Sequence, residues 1–325
     1  MYSINNDGEV IGVYGEKGDE IGRDGYPIIW KKTFLYRDGI FKDIYFMNNY
    51  PKNVINDFGE ILAKGSNKSA IYKINEVVEL DFWGSDINNK GEVCGKYGYL
   101  YRDGEKIDLR EFSDGYGVYG IAINDNTQVT GYTYGKYEPH HAYIWDNNEM
   151  RIFKGPLSHN TIYDINNKGH IVGSFSGPGT FACMWDKEGN LFPLELLEGT
   201  RWSRAYAIND NDQIVGRINA GSQDEEPFLY ENGRMRILND FIPEGSNWID
   251  LSSVTGINNK GQIIGHGSIQ DHLHGFAFLM NPISKPKTLS ADSNNDGIVN
   301  GLDFAEFANQ WLMTEDWYYT GPLKW

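Results

Sequence analysis

Ile165-Asn166-Asn167-Lys168-Gly169-His170-Ile171-Val172-Gly173 decides the fold, because the chain writes this phrase seven times. The copies start at Ile4, Ile55, Ile87, Ile123, Ile165, Ile208 and Ile257, at intervals of 51, 32, 36, 42, 43 and 49 residues. Every copy follows Ile with Asn, and that Asn with Asn or Asp. Five copies place Gly fifth, all seven place Ile or Val seventh, and six place Gly ninth, the exception being Ala63 in the second copy. Repeats of this length are propeller blades or solenoid units.

The phrase reads as a hairpin corner. Asn suits the first position of a type I turn because its side chain bonds the backbone two residues on, and Gly suits the fourth because it accepts positive φ without a Cβ clash. One strand therefore ends at Ile, a tight turn with a bulge at Gly follows, and a new strand starts. Thr127 and Asp212 stand where the other copies have the turn Gly. Asp tolerates a left-handed backbone but β-branched Thr does not, so the fourth turn is expected to be reshaped.

A second strand pair follows each phrase. Thr33–Tyr36 and Ile40–Ile44 flank Arg37-Asp38-Gly39, and Pro227–Tyr230 and Met235–Leu238 flank Glu231-Asn232-Gly233. Asp-Gly and Asn-Gly are strong hairpin signals. Related pairs occur at Ala70–Tyr72 with Val77–Leu80, Tyr99–Tyr101 with Lys106–Leu109, Ala142–Trp145 with Met150–Phe153, and Phe181–Trp185 with Leu191–Leu194. Four strands per unit and seven units predict an all-β, seven-bladed β-propeller over residues 1–281. The seventh unit stops after Gly275–Met280, ahead of Pro282 and Pro286, which predicts an incomplete, three-stranded last blade.

These units resemble the HAF family of extracellular repeats, which join an Ala-x-x-Ile-Asn-x-x-Gly-x-Val-x-Gly phrase to a His-Ala-Phe-hydrophobic-Trp strand. His141-Ala142-Tyr143-Ile144-Trp145 is the nearest match to the second element and His274-Gly275-Phe276 a looser one. The resemblance implies an extracellular or cell-surface protein and little defined chemistry. It also implies a strand ahead of the first phrase that would complete the last blade. Met1-Tyr2-Ser3 runs directly into the first phrase, so the expectation is a missing upstream segment carrying that strand and a signal peptide.

Composition narrows the partners. With 29 basic and 45 acidic residues, a net charge of −16 repels phosphate backbones and anionic lipid surfaces, which argues against nucleic acid. No stretch approaches the apolar length of a membrane span, and the expected state is a monomer. Cys94 fills a slot that holds Ile11, Val172, Val215 and Ile264 elsewhere, which reads as a small buried residue.

Residues 282–291 form a linker into a different pattern over 292–325. Asp292-Ser293-Asn294-Asn295-Asp296-Gly297-Ile298-Val299-Asn300-Gly301-Leu302-Asp303 sets oxygen side chains at loop positions 1, 3, 5, 9 and 12 with Gly at 6. This is the calcium-loop pattern, and the expected ligands of Ca2+ are Asp292, Asn294, Asp296, Asn300 and Asp303 with the carbonyl oxygen of Ile298, set against the plainer reading of an acidic Asx-rich turn without metal. Phe304, Ala308 and Trp311 share one face of a following helix. The segment resembles one type I dockerin repeat, in which Asp at position 12 is usual. Dockerins carry two such loops and this chain shows one, so the resemblance implies calcium binding more firmly than a cohesin-like partner.

A glycosidase needs carboxylates converging on one face. Asp86 and Asp164 precede the phrase in units three and five, where other units have Ser3, Val54, Ala122, Ala207 or Gly256. The slot is placed to face a central channel, although solvated strand-end carboxylates are the simpler reading. Asp271, His272 and His274, and His140 with His141, lack a third ligand at motif spacing and read as surface-loop residues. Asp224-Glu225-Glu226 reads as a solvated loop tip. Two functions follow: a secreted or surface-displayed binding and scaffold protein with a calcium-dependent attachment tail and a possible glycan ligand, or a polysaccharide hydrolase or lyase with its site on one face.

Overall fold

Seven identical corners build the molecule. In each phrase the first Asn accepts on its carbonyl oxygen the N–H three residues on and donates its own N–H to the carbonyl four residues on, as in Gly8 N–H to Asn5 O (3.0 Å) and Asn5 N–H to Glu9 O (3.1 Å). The Asn side-chain oxygen accepts the N–H groups two and four residues ahead, illustrated by Asp7 and Glu9 on Asn5. One side chain thus satisfies two backbone donors that a tight turn would otherwise leave bare. Residues 3–21, 27–44, 53–65, 68–135, 140–153, 160–177, 179–220, 225–270, 272–282 and 317–319 are described in this computed structural model.

The turns join the first and second strands of seven antiparallel, four-stranded sheets, each in simple meander order. In blade 4 these are Gly117–Ile123, Val129–Tyr134, His141–Asp146 and Glu149–Phe153. The phrase Ile ends the innermost strand of every blade, so the seven turns crowd one end of a central channel, the asparagine face; the strands begin at the distal face. Seven apolar clusters lie one at each blade boundary. Between blades 3 and 4, for example, Cys94, Leu100 and Leu109 pack with Val118, Val129, Tyr143 and Trp145. Cys94 and Cys183 are both free and buried.

The seventh unit supplies three strands, Trp248–Ile257, Ile263–Ile269 and His272–Pro282. The short strand Trp317–Tyr319 pairs antiparallel with Met280–Pro282 beside them. No strand preceding the first phrase takes part among the described residues. Blade 7 instead packs flat against blade 1, with Ile264, Ala277 and Leu279 on Val10 and Phe34. Helix among the described residues is confined to three short 3-10 turns, Lys96–Gly98, Leu109–Phe112 and Leu238–Phe241. None is long and apolar enough to cross a membrane.

The fourth turn corrects one expectation. Thr127 adopts φ 66° and Asp212 φ 60°, and both turns keep the same hydrogen bonds as their glycine counterparts. Thr127 is held there because its hydroxyl donates to Glu92 Oε2 of the preceding blade at 2.8 Å. Asp212 likewise reaches back, accepting from Asn166 Nδ2 at 2.8 Å. Strain of about 1–2 kcal/mol per left-handed residue is offset by a bond that glycine cannot make.

Candidate functional site

The channel is walled by two closed hydrogen-bond rings. In the first, each phrase Asn donates Nδ2–H to the backbone carbonyl of the equivalent Asn in the next blade. The chain Asn5, Asn56, Asn88, Asn124, Asn166, Asn209, Asn258 and back to Asn5 closes with distances of 2.8 to 3.0 Å. The other Nδ2 proton goes to the sixth phrase residue, Glu or Gln, in six blades. Blade 5 has His170 there, and Asp212 of blade 6 takes over as acceptor while also contacting His170 Nδ1 at 2.8 Å. Asp at the first position would hold its own turn but bring no donor to the neighbouring blade.

The second ring uses the next residue. Each backbone N–H at this position donates to the side chain of its counterpart one blade on, at 2.7 to 2.8 Å, through all seven blades. The side chains read Asn6, Asp57, Asn89, Asp125, Asn167, Asp210, Asn259, alternating amide and carboxylate. Asn89 Nδ2 donates to both Asp57 and Asp125, and Asn167 Nδ2 to both Asp125 and Asp210. Alternation keeps carboxylates apart and gives each an amide on either side.

A bulge recurs one step deeper. In blades 3 to 7 the innermost strand carries one extra residue, Ser85, Ile121, Tyr163, Tyr206 or Thr255, that the second strand skips. All five line the channel, a cavity of about 340 Å³. The bulge presses the carbonyl of the residue four before the phrase Ile onto the ninth residue. A Cβ on Gly95, Gly131, Gly173, Gly216 or Gly265 would collide with the Trp83, Tyr119, Thr161, Arg204 or Ser253 oxygen. Blade 2 pairs only Val54 and Ile55 there, in unbroken register, and carries Ala63.

Asp86 and Asp164 both line this cavity, which corrects the reading of them as solvated strand-end carboxylates. Asp86 Oδ2 accepts the Ile123 N–H of blade 4 at 3.0 Å. Asp164 Oδ2 accepts the Ile208 N–H of blade 6 at 3.0 Å, and its Oδ1 the Ile165 N–H at 2.8 Å. Ser3 Oγ makes the weaker version to Ile55 N–H at 3.4 Å. Burial pushes the Asp86 carboxyl up to about 6 against the pull of the Ile123 N–H. Burial likewise raises Asp164 to about 7, the Asp86 charge adding to it. Both carboxylates act as clasps between blades and carry a proton over part of the neutral range.

The distal mouth is aromatic. Residues four before the phrase Ile include Trp83, Tyr119 and Arg204, made equivalent by their shared approach to the ninth glycine. Lys96 Nζ lies 3.7 Å from the Trp83 ring centre and 5.8 Å from that of Tyr119. Tyr119 stacks on Tyr132 at 4.9 Å, and Tyr132 on His140 at 4.9 Å. Across the mouth, Tyr163 meets Tyr206 edge-on at 5.1 Å and the Arg204 guanidinium lies 5.2 Å from the Trp202 ring centre.

Other sequence candidates separate. His141 is buried in the third strand of blade 4, not in a surface loop, while exposed His140 joins the stack on Tyr132. His272 opens the third strand of blade 7. Glu225 pairs with Arg217, so the acidic run is not merely a solvated tip. No group of three or more His, Cys, Asp or Glu fit to hold a metal occurs among the described residues. The loop of Asp292, Asn294, Asp296, Ile298, Asn300 and Asp303, and residues 304–316 after it, lie outside the described residues. The alternation of Asn and Asp, and the aromatic and basic residues four before the phrase, are visible in the sequence once the register is known.

No protein-family model matches the chain, and no curated protein matches it by sequence. Solved structures match by shape. A puromycin-hydrolysing peptidase from Mycobacterium tuberculosis superposes with a TM-score of 0.50 at 8% identity, over 86% of this chain and 50% of that one. Streptogramin B lyase gives a TM-score of 0.47 at 11% identity, over 79% and 94%. The β-propeller domain of the trilobed protease from Pyrococcus furiosus, which has an open velcro topology, gives 0.53 at 15% identity, over 75% of this chain and 84% of that one. The likeness to the trilobed protease domain shows a shared β-propeller fold, and at 15% identity nothing of the chemistry.

Proposed function

We propose that the protein is a binding and scaffold module of HAF type, displayed outside the cell, with a calcium-binding, dockerin-like tail that attaches it to a partner or a surface. One observation carries this reading: the channel carboxylates are engaged as blade-to-blade acceptors, Asp86 on Ile123 and Asp164 on Ile208, and so are committed to architecture. Calcium would be held by Asp292, Asn294, Asp296, Asn300 and Asp303 with the Ile298 carbonyl, a complete set of hard oxygen donors for that ion. Calorimetry with calcium tests the tail: heat that is equal for the native chain and for an Asp292→Ala, Asp296→Ala control removes the metal from the proposal.

A second reading rests on the same pair. Two carboxyls raised to about 6 and about 7 in one cavity resemble the tuning found in acid-base sites, which favours a polysaccharide hydrolase or lyase. Glycan-array binding run beside a turnover screen on plant and algal polysaccharides separates the two. Binding without turnover supports the module. Turnover abolished by Asp86→Asn or Asp164→Asn replaces it with the enzyme.

A further inference from the structure

We infer that the distal mouth over blades 3 to 6 is the ligand site of this module and that its ligand is an acidic glycan, a sugar chain bearing carboxylate or sulfate groups. The inference rests on the binding reading above and names its site and ligand class.

The register places the site. Because the strands of a blade run in meander order, residues preceding the bulge of an innermost strand and residues following the ninth glycine of the second strand meet at one end of the channel, away from the asparagine turns. In blade 3 these are Trp83 and Lys96, joined by the Lys96 N–H to Trp83 O bond of 2.9 Å, in blade 4 Tyr119 and Tyr132, and in blade 6 Arg204. Tyr163 and Tyr206, the extra residues of blades 5 and 6, project into the channel just below. The bulges that fix the ninth glycine thereby turn five repeat units into presenters of one further side chain each.

The chemistry selects the ligand. Aromatic rings at a rim offer apolar faces and edges to the C–H groups of a pyranose while leaving its hydroxyls to water. Neutral sugars need nothing more. Here three of the rings also hold two cations: Lys96 on Trp83 and Tyr119, and Arg204 on Trp202. Neither cation has a carboxylate partner within ion-pair distance among the described residues, a condition they share with Lys42, Arg102, Arg201 and Arg234 but not with Arg37, Lys73, Lys106, Arg110 or Arg217; what sets them apart is their seat on the rings. Ring contacts fix the position of a charge without neutralising it. The mouth therefore presents two positioned, uncompensated cations on opposite sides of an aromatic opening, in a chain of net charge −16. The remaining acidic surface weakens this attraction little, since salt screens charges beyond about 8 Å. Asp86 and Asp164 lie deeper in the channel wall, so an anionic chain would rest across the mouth and not thread the channel.

The test is titration calorimetry of the full chain with three hexasaccharides: oligogalacturonate, a sulfated galactan and the unsulfated galactan. Tighter binding of one or both acidic chains than of the neutral one, weakening as salt rises, is the expected result; which acidic chain binds tells carboxylate from sulfate. Lys96→Met keeps the aliphatic stem on the rings and Arg204→Gln keeps most of its length. Each is expected to weaken acidic-chain binding about tenfold, the loss of one charged contact, with unchanged thermal melting. Equal affinity for neutral and acidic chains, no binding of any chain, or unchanged affinity in both variants overturns the inference. Binding of the neutral chain alone would leave the module reading standing while removing the acidic ligand, and hydrolysis of any chain would instead count against the module.

Discussion

Asn124→Asp changes one atom type in the first ring and exposes its logic. Asn124 is buried; its Nδ2 donates to Asn166 O at 2.8 Å and to Gln128 Oε1 at 2.7 Å. Its Oδ1 accepts from Asn126 and Gln128 N–H at 3.1 and 3.0 Å. Asp keeps both acceptor contacts and the shape of the turn. It removes both donors, about 1 kcal/mol each, and leaves the buried Asn166 carbonyl facing a carboxylate, a further 1–3 kcal/mol. The expected loss at pH 7.5 is therefore about 3–5 kcal/mol. Protonating the new carboxyl returns an O–H donor, so its folded pKa must lie above the unfolded value near 4. For a raised carboxyl the stabilisation is present at low pH and disappears as pH rises through the folded pKa. Urea unfolding at pH 4.5 and 7.5, with each variant compared with the native chain at the same pH, should show the deficit shrinking by about 1–2 kcal/mol at the lower pH. Asn124→Ala, which loses donors and acceptors together, should show a deficit that pH does not change. A variant within about 1 kcal/mol of native at pH 7.5, or equally destabilised at both pH values, would refute the ring as a source of stability.

Three further outcomes follow from the same geometry. Gly131→Ala sets a Cβ against the Tyr119 carbonyl and should cost about 3 kcal/mol or more, whereas Ala63→Gly in blade 2 should cost about 1 or less, both read by thermal melting. Asp86 and Asp164, raised to about 6 and about 7, make the native chain less stable as pH rises from about 4 to 7, by roughly 3 and 4 kcal/mol at most. Asp164→Asn should flatten that dependence, and an unchanged slope in pH-dependent urea unfolding would show that Asp164 is not the titrating group. Hydrogen exchange should open first at the boundary of blades 7 and 1, where the second ring joins Asn259 to Asn6 by one backbone bond of 2.7 Å; uniform protection around the ring would contradict this.

The propeller was legible in the sequence because its corner is local chemistry: Asn, Gly and two flanking aliphatics specify a turn without reference to anything distant. The pair expected at Tyr99–Tyr101 with Lys106–Leu109 forms as Tyr99–Arg102 with Glu105–Asp108, its turn set as locally by the intervening Asp103-Gly104. Thr127 was misjudged because intrinsic preference said nothing of Glu92, thirty-five residues earlier and one blade away. Asp86 and Asp164 were found by position but misread in state, since burial depends on how seven units close around a channel. The mouth residues were missed because Trp83, Tyr119 and Arg204 share no residue type. What unites them is their distance from a bulge, and a bulge is a property of paired strands.

The alternating ring also bears on blade number. An alternation of amide and carboxylate closes without conflict around an even ring, but seven positions force one junction between like groups. A carboxylate pair there would set two charges side by side with no amide between them, whereas two amides still leave one oxygen to accept the neighbour's backbone N–H. The chain takes the second course with Asn6 and Asn259, each of which spends its Nδ2 on the aspartate at its other side, Asp57 and Asp210. The like pair falls at the boundary of the first and last blades, the one place where neighbouring blades are not consecutive in the chain. Apolar packing of Ile264, Ala277 and Leu279 on Val10 and Phe34 spans this boundary, as a like cluster spans each of the other six. Burial needs no donor and acceptor in register, so this contact is indifferent to the like pair that the odd number of blades imposes.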